Sequence, residues 1–256
     1  MMTRRDALKL GAAGAAVLGA TTVMPFVARA QKGGDTYETE TGQITIHPID
    51  HASFVMTVPG MVIYADPVGG AAAYEGHPEP DLILVTHEHG DHYDAETLAA
   101  LAGENTRLIT NPAVHDMLPE ELKAKATAMA NGETMTVGDI EIEAIPAYNT
   151  TEDRLQYHPQ GRDNGYVLTI DGRRVYIAGD TEDIPEMRAL EDIYIAFVPM
   201  NLPYTMDIEQ AASAVAEFAP TYVYPYHYRG QDPEAFAARV AEAEVETEVV
   251  QGPWYS

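Results

Sequence analysis

The sequence predicts one domain of mixed α and β structure, on three observations. Short apolar or alternating runs of strand length recur along the chain, many of them paired around turn dipeptides such as Pro59-Gly60, Gly138-Asp139 and Asp171-Gly172. Between them lie helix-length segments, the clearest being Ile208 to Phe218, which is amphipathic and stops before Pro220. Apolar residues make up 46% of the 256 residues, enough for one large core, and no low-complexity tract or Pro/Gly/Ser-rich linker divides the chain.

The elements follow in order. Residues 31 to 41 are polar and read as a frayed start. Gln43 to Ile49 alternates, Ser53 to Val58 is a second strand, and Met61 to Ala65 returns after the Pro59-Gly60 turn. Leu82 to Val85 is aliphatic throughout and reads as a buried strand. Ala95 to Ala102 is a helix closed by Gly103, Arg107 to Thr110 a short strand, and Pro112 to Leu118 a helix with proline in its first turn. Thr134 to Val137 pairs with Ile140 to Ile145, and Tyr166 to Ile170 with Arg174 to Ala178. Ile193 to Val198 is a strand, followed by the helix to Phe218, a strand at Thr221 to Tyr224, a helix at Pro233 to Ala243 and a last strand at Val245 to Val250.

Charge and terminus narrow the function. Thr3-Arg4-Arg5-Asp6-Ala7-Leu8-Lys9 resembles a twin-arginine export signal, followed by the uncharged stretch Leu10 to Val27 and a small-x-small cleavage site at Ala28-Arg29-Ala30. Residues 1–30 are therefore expected to be a signal peptide recognised by the twin-arginine export machinery, and residues 31–256 the mature domain, starting near Gln31. An uncleaved helix anchoring the domain is the alternative. Cleavage implies a periplasmic or secreted protein without stable membrane association. The whole chain carries 15 basic and 40 acidic residues; removing Arg4, Arg5, Lys9, Arg29 and Asp6 with the signal leaves 11 against 39. A surface this acidic repels phosphate backbones, which argues against nucleic acid as partner and for a small-molecule substrate, and it suits a salty medium. There is no cysteine, so a metal could be held only by His, carboxylate, amide or backbone groups.

The densest chemistry follows the buried strand. His87-Glu88-His89-Gly90-Asp91-His92 packs three histidines and two acids into six residues on the loop that leaves Val85. His87 and His89, two apart, point the same way in an extended segment, with Glu88 pointing away. Asp91 and His92, beyond Gly90, can face a second point, so one loop can feed two adjacent cations.

The pattern H-x-H-x-D-H in this loop resembles the metallo-β-lactamase superfamily, over roughly residues 43 to 250. Two further stretches agree in order: Arg174 to Thr181, a strand ending in Gly179-Asp180, and Tyr222 to Tyr228, a strand ending in His227. The resemblance implies an α+β fold, an αββα four-layer sandwich, with the strand ends gathering these motifs in one cleft. It implies two divalent metal ions, zinc first and manganese or iron as alternatives. His87 and His89 would bind the first, Asp91, His92 and His227 the second, with Asp180 bridging. A further histidine of the first site is expected mid-chain, but Asn149 stands there. Either His158 swings in from the following loop, the favoured reading, or Asn149 or water fills the place. His51, before a strand, is expected as a substrate or outer contact or else as a core histidine, Asp66 as a buried structural or outer-shell acid, and Tyr204 as a border of the cleft. His47, His77 and His115 have no supporting context.

Two such cations lower the pKa of a bound water to about 7 and make a nucleophile at neutral pH. The implied activity is metal-dependent hydrolysis by a metal-bound hydroxide, with Asp91 as the catalytic group that orients the water and carries its proton to the leaving group. A small ester, lactone or amide is the first substrate class and a phosphodiester the second; β-lactam hydrolysis is less favoured without the first-site histidine. The alternatives are a non-catalytic metal-binding envelope protein with a degenerate site, and a di-iron reductase, which would need a flavin partner domain.

Overall fold

The computed structural model describes residues 34–255. The export segment and the start at Gln31 lie outside these residues. Among the described residues no helix is long and apolar enough to cross a membrane.

Among the described residues, fourteen strands form two seven-stranded sheets in strict chain order. The first holds β1 (Asp35–Glu38), β2 (Gln43–Asp50), β3 (Ser53–Val58), β4 (Met61–Ala65), β5 (Leu82–Val85), β6 (Arg107–Thr110) and β7 (Ala126–Ala128). The second holds β8 (Thr134–Val137), β9 (Ile140–Ala147), β10 (Asp163–Ile170), β11 (Arg173–Ile177), β12 (Ile193–Pro199), β13 (Tyr222–Tyr226) and β14 (Glu248–Val249). Each half pairs its first four strands antiparallel and its last three parallel to the fourth. Strand β4 is thus equivalent to β11, and the β2–β3 turn to the β9–β10 connection.

Alternation along each strand sets the layers. Phe54 and Met56 of β3 and Leu82 and Leu84 of β5 face the other sheet, where they meet Leu168, Ile177, Ile195 and Phe197. Val55, Ile83 and Val85 face outward under α1 (Ala95–Leu101), α2 (Pro112–Met117) and α3 (Glu120–Lys123), which contribute Leu98, Val114 and Leu122. The outer face of the second sheet, with Val167, Tyr176, Ala196 and Val223, is covered by α4 (Pro185–Arg188), α5 (Ile208–Phe218) and α6 (Pro233–Glu242). The result is helices, sheet, sheet, helices: the αββα sandwich. At its centre Phe197 stacks on Phe54 at 4.2 Å and on Tyr224 at 5.1 Å.

Three local differences from the sequence reading have physical causes. The start is not frayed from residue 35: β1 adds to β2, and Tyr37 is held under Tyr222 at 4.6 Å with its hydroxyl against that of Tyr224 at 2.5 Å. One aromatic anchor outweighs a polar composition. The last strand is only Glu248–Val249, because the chain then leaves the sheet to bury Trp254. The short elements α3, β7 and α4 have too few residues to carry a periodic signal.

Candidate metal centre

Parallel pairing brings the C-terminal ends of β4 and β5 to one edge of the first sheet, and those of β11 and β13 to one edge of the second. Each of these strands delivers polar groups there. Asp66 follows β4, the loop from His87 to His92 follows β5, Asp180 follows β11 and His227 follows β13. The antiparallel strands before them place the β2–β3 turn, with His51, and the β9–β10 connection, with His158, on the same edges.

The loop after β5 leaves the strand extended and then turns: the amides of His92 and Tyr93 both donate to the His89 carbonyl, at 2.9 and 2.8 Å. Gly179 precedes Asp180 with φ +65, and a Cβ there would stand 2.8 Å from the Asn164 carbonyl oxygen and 3.1 Å from Thr86 Cβ. This close approach requires glycine.

Two groups of ligating atoms result, each within 4.8 Å: His87, His89, His158 and Asp180, and His51, Asp91, His92 and His227. Asp180 lies between them. Its Oδ2 is 3.8 Å from His87 Nε2, 3.4 Å from His158 Nε2 and 3.3 Å from His227 Nε2, and its Oδ1 is 3.2 Å from His92 Nε2. Asp91 Oδ2 is 3.4 Å from His227 Nε2 and 3.1 Å from His51 Nε2.

The outer nitrogens of His87, His92 and His158 are fixed from behind, whereas that of His227 is buried without a partner. Thr86 donates its amide and its hydroxyl to Asp66, both at 2.7 Å, and His92 Nδ1–H donates to Asp66 Oδ2 at 2.7 Å. Because the Thr86 hydroxyl proton is spent on Asp66, its oxygen accepts from His87 Nδ1–H at 3.0 Å. His158 Nδ1–H donates to Asp163 at 2.9 Å. Each bond leaves the Nε2 lone pair aimed inward.

The residues fit divalent cations. His87 Nε2, His92 Nε2, His158 Nε2, His227 Nε2 and Asp180 Oδ1 are buried without a hydrogen-bond partner. Each such group costs about 1–3 kcal/mol when left unsatisfied, and so many facing one point call for positive charge. The donor set, imidazole and carboxylate only, suits zinc, manganese or iron.

The titration of the bare cluster follows the same charges. Burial holds His87 well below the ordinary histidine value, with His92 adding to the effect. Burial and His158 lower His89. Burial also lowers His51, against its bond to Asp91. Burial opposes charge on His158 too, but the bonds to Asp163 and Asp180 outweigh it and push its pKa up to about 9. Burial likewise opposes the raised pKa of His92, and Asp180 and Asp66 prevail. Asp91 is pulled well below the carboxylate range by His227 and His51, which overcome its desolvation.

The other sequence candidates divide clearly. The Asn149 NH2 is committed to the loop, donating to the carbonyls of Arg154 at 3.1 Å and Tyr204 at 2.8 Å, and its backbone N–H donates to the His158 carbonyl at 2.8 Å, while its Oδ1 is buried without a partner. It anchors the loop that delivers His158. Asp66 is fully buried behind His92. Tyr204 is 44% exposed and its ring packs edge-on to Tyr157 at 5.0 Å. Glu88 points away and pairs with Arg162 at 2.8 Å.

Sequence reading missed the supports. Asp163 carries no motif, although it follows His158 by five residues at the head of β10. Glu182 is buried under the 149–158 loop, accepting from the amides and hydroxyls of Thr150 and Thr151 and pairing with Arg154 at 3.0 Å. Tyr255, near the chain end, meets His51 Nδ1 at 2.7 Å. Beside it a depression of about 560 Å³ is lined by Asp50, Tyr228, Arg229, Gly230, Gln231 and Tyr255.

Comparison with known proteins agrees with this geometry. Residues 45–227 match the model of the β-lactamase superfamily domain. A UPF0173 metal-dependent hydrolase of Methanopyrus kandleri is 31% identical over 223 residues, 79% of this chain and 94% of that protein. Another, of Ligilactobacillus salivarius, is 34% identical over 73% of this chain and 84% of its own. Among solved structures, a metal-dependent hydrolase of Parabacteroides distasonis shares 43% identity and superposes with a TM-score of 0.77, covering 85% of this chain and 97% of that one. A metallo hydrolase of Ignicoccus hospitalis shares 25% identity with a TM-score of 0.67, over 82% and 95% of the two chains.

Proposed function

Because the chain belongs to the metallo-β-lactamase superfamily, among its metal-dependent hydrolases, we propose that it works as a two-cation enzyme on a small ester, lactone, amide or phosphodiester. His87, His89 and His158 would hold the first ion and Asp91, His92 and His227 the second, with Asp180 placed between the two sets. The observation that carries this reading is the convergence of unpartnered buried ring nitrogens and a carboxylate on two adjacent points. The fully buried His158, backed by Asp163, supports its reading as the first-site histidine.

Divalent ions bound there would supply a water nucleophile at neutral pH and positive charge beside the oxygen that becomes negative. The protein's own groups do the rest. Asp180, 2% exposed, holds its charge between the two ring sets. Asp91, with half its side chain exposed, is the acid of the cluster open to solvent, and its carboxylate is placed to accept the proton of water and pass it to the leaving group. Tyr204 and the Tyr157 it packs on border the entrance and set the shape of the substrate that enters. The acidic surface, −25 over the whole chain, disfavours polymeric phosphodiesters.

We also propose export through the twin-arginine route, cleavage after Ala30 and a periplasmic or secreted mature enzyme. Zinc is the first choice of metal; folding before export would also allow manganese or iron to be loaded in the cytoplasm. The test is elemental analysis of the protein purified without chelator, followed by a screen of lactones, esters, amides and phosphodiesters. About two equivalents of metal with metal-dependent turnover is the expected result. Two equivalents with no turnover of any class would favour the non-catalytic binding protein instead.

A further inference from the structure

We propose that His51 is a direct ligand of the second ion, held in its ligating form by Tyr255, so that the two ions are bound by three imidazoles each. The inference rests on the two-cation reading above. His51 belongs to neither the H-x-H-x-D-H loop nor the strands ending in Asp180 and His227.

The geometry around His51 repeats that of His92 and His158. In each ring one nitrogen meets an oxygen outside the cluster: Asp66 at 2.7 Å for His92, Asp163 at 2.9 Å for His158, Tyr255 Oη at 2.7 Å for His51. The other nitrogen faces a carboxylate oxygen of the cluster: Asp180 at 3.2 and 3.4 Å, and Asp91 at 3.1 Å. With Nδ1–H donating to Tyr255, the Nε2 of His51 presents a lone pair to the second ion's place. A bond to Asp91 alone would not require the ring to face the other ligating atoms. His51 Nε2 instead lies within 4.8 Å of the ligating atoms of Asp91, His92 and His227 together.

The fold gives a second argument. The β2–β3 turn that carries His51 is the counterpart, in the first half, of the β9–β10 connection that carries His158 in the second. Each half therefore sends one histidine from the same topological position, the one from β9–β10 to the first ion and the one from β2–β3 to the second.

The backbone is also committed. His51 has φ 52 and His227 φ 46, left-handed conformations that are unfavourable for a non-glycine residue and persist only where the surroundings hold them. The two are tied together: the His227 amide donates to the His51 carbonyl at 3.0 Å, and their rings lie 3.8 Å apart. The His51 amide in turn donates to the carbonyl of Trp254, the neighbour of Tyr255. The chain end thus fixes both the position and the tautomer of this ring.

The test uses the cobalt(II)-loaded full-length mature protein, without recourse to activity. H51N is the main variant, because asparagine tolerates the positive φ. Stepwise competition with a chelator reads the affinity of each ion, and paramagnetic proton NMR reads the far-shifted exchangeable N–H signals of ligating rings. We expect two cobalt ions in the wild type, and in H51N the loss of one such signal with at least tenfold weaker binding of the second ion. Y255F, which removes only the hydroxyl, is expected to keep every signal, to let one of them exchange faster with water, and to weaken the second ion severalfold. Y255F therefore tests the proposal even if H51N does not fold. If H51N keeps all the far-shifted signals, at whatever affinity, or if Y255F leaves N–H exchange and affinity unchanged, the assignment of His51 is wrong while the two-cation reading stands. Fewer than two ions in the wild type would overturn that reading, and this inference with it.

Discussion

Asp66→Asn is the most informative single change, because it alters the site without touching a ligand. The Asp66 carboxylate accepts three bonds, from the Thr86 amide, the Thr86 hydroxyl and His92 Nδ1–H, all at 2.7 Å and all buried. Asparagine offers one acceptor oxygen and one donor group. If the oxygen keeps the Thr86 amide, the NH2 faces Thr86 Oγ1 and His92 Nδ1. The threonine hydroxyl can rotate and accept, but His92 Nδ1–H then meets another donor. The ring escapes by moving its proton to Nε2, which removes the lone pair it aims past Asp180. A buried hydrogen bond to a charged group is worth about 1.5–3 kcal/mol, and outer partners of metal-binding histidines are worth about 10–100-fold in affinity. The second ion should therefore bind about 10–100-fold more weakly. The first ion, linked to Asp66 only through Thr86 and His87, should weaken less. Stepwise chelator competition on folded protein, with a thermal melt as control, measures both. Affinities for both ions within twofold of wild type would refute the reasoning that Asp66 sets the tautomer of His92.

Further outcomes follow from other parts of the structure. Glu182→Gln removes the charge that gathers Thr150, Thr151 and Arg154, so the 149–158 loop should show faster amide hydrogen exchange and the first ion should bind several-fold less tightly. In the metal-free protein His158, with its pKa raised to about 9 from 6.5, contributes stability that is full below the lower value and lost as pH rises through the higher one. Between about pH 7.5 and 9 the depressed rings of His87, His89 and His51 are neutral in both states, while His92, also raised, adds loss in the same direction, so denaturant titration should show a fall of about 2 kcal/mol or more there, which metal loading abolishes. Phe197→Ala empties the stack between Phe54 and Tyr224 and should cost about 3–5 kcal/mol in chemical denaturation. Tyr204→Ala should change KM for the substrate found by screening while leaving metal content at the wild-type level.

Much of the fold was legible because its strands are strongly patterned. Ser53–Val58, Met61–Ala65 and Leu82–Val85 stand where alternation and apolar runs put them. What escaped was decided by partners far away in the chain: β1 is held by tyrosines nearly two hundred residues downstream, which no local window contains. The same distinction applies at the metal centre. The ligand-type residues after β5 announce themselves by density, and Asp180 and His227 by the strands they end. Asp163, Glu182 and Tyr255 do not, because an acid or phenol behind a ring is chemically ordinary until the fold sets it within about 3 Å of a nitrogen. His51 falls between these cases, since its residue type was visible but its orientation was not.

The division of the ligands between the two sheets has one last consequence. His51, His87, His89, Asp91 and His92 come from the first seven strands, and His158, Asp180 and His227 from the second seven. Neither half owns a complete ligand set, so ions bound there, as proposed above, would clasp the two sheets together at this edge. Binding strength at the centre and adhesion between the halves are then a single thermodynamic quantity seen from two sides. A substitution deep in the inter-sheet core, far from any ligand, can loosen the metals, and a chelator can loosen the core. Two fragments cut in the link between β7 and β8 would carry, in their appetite for metal, a direct measure of how firmly the halves hold each other.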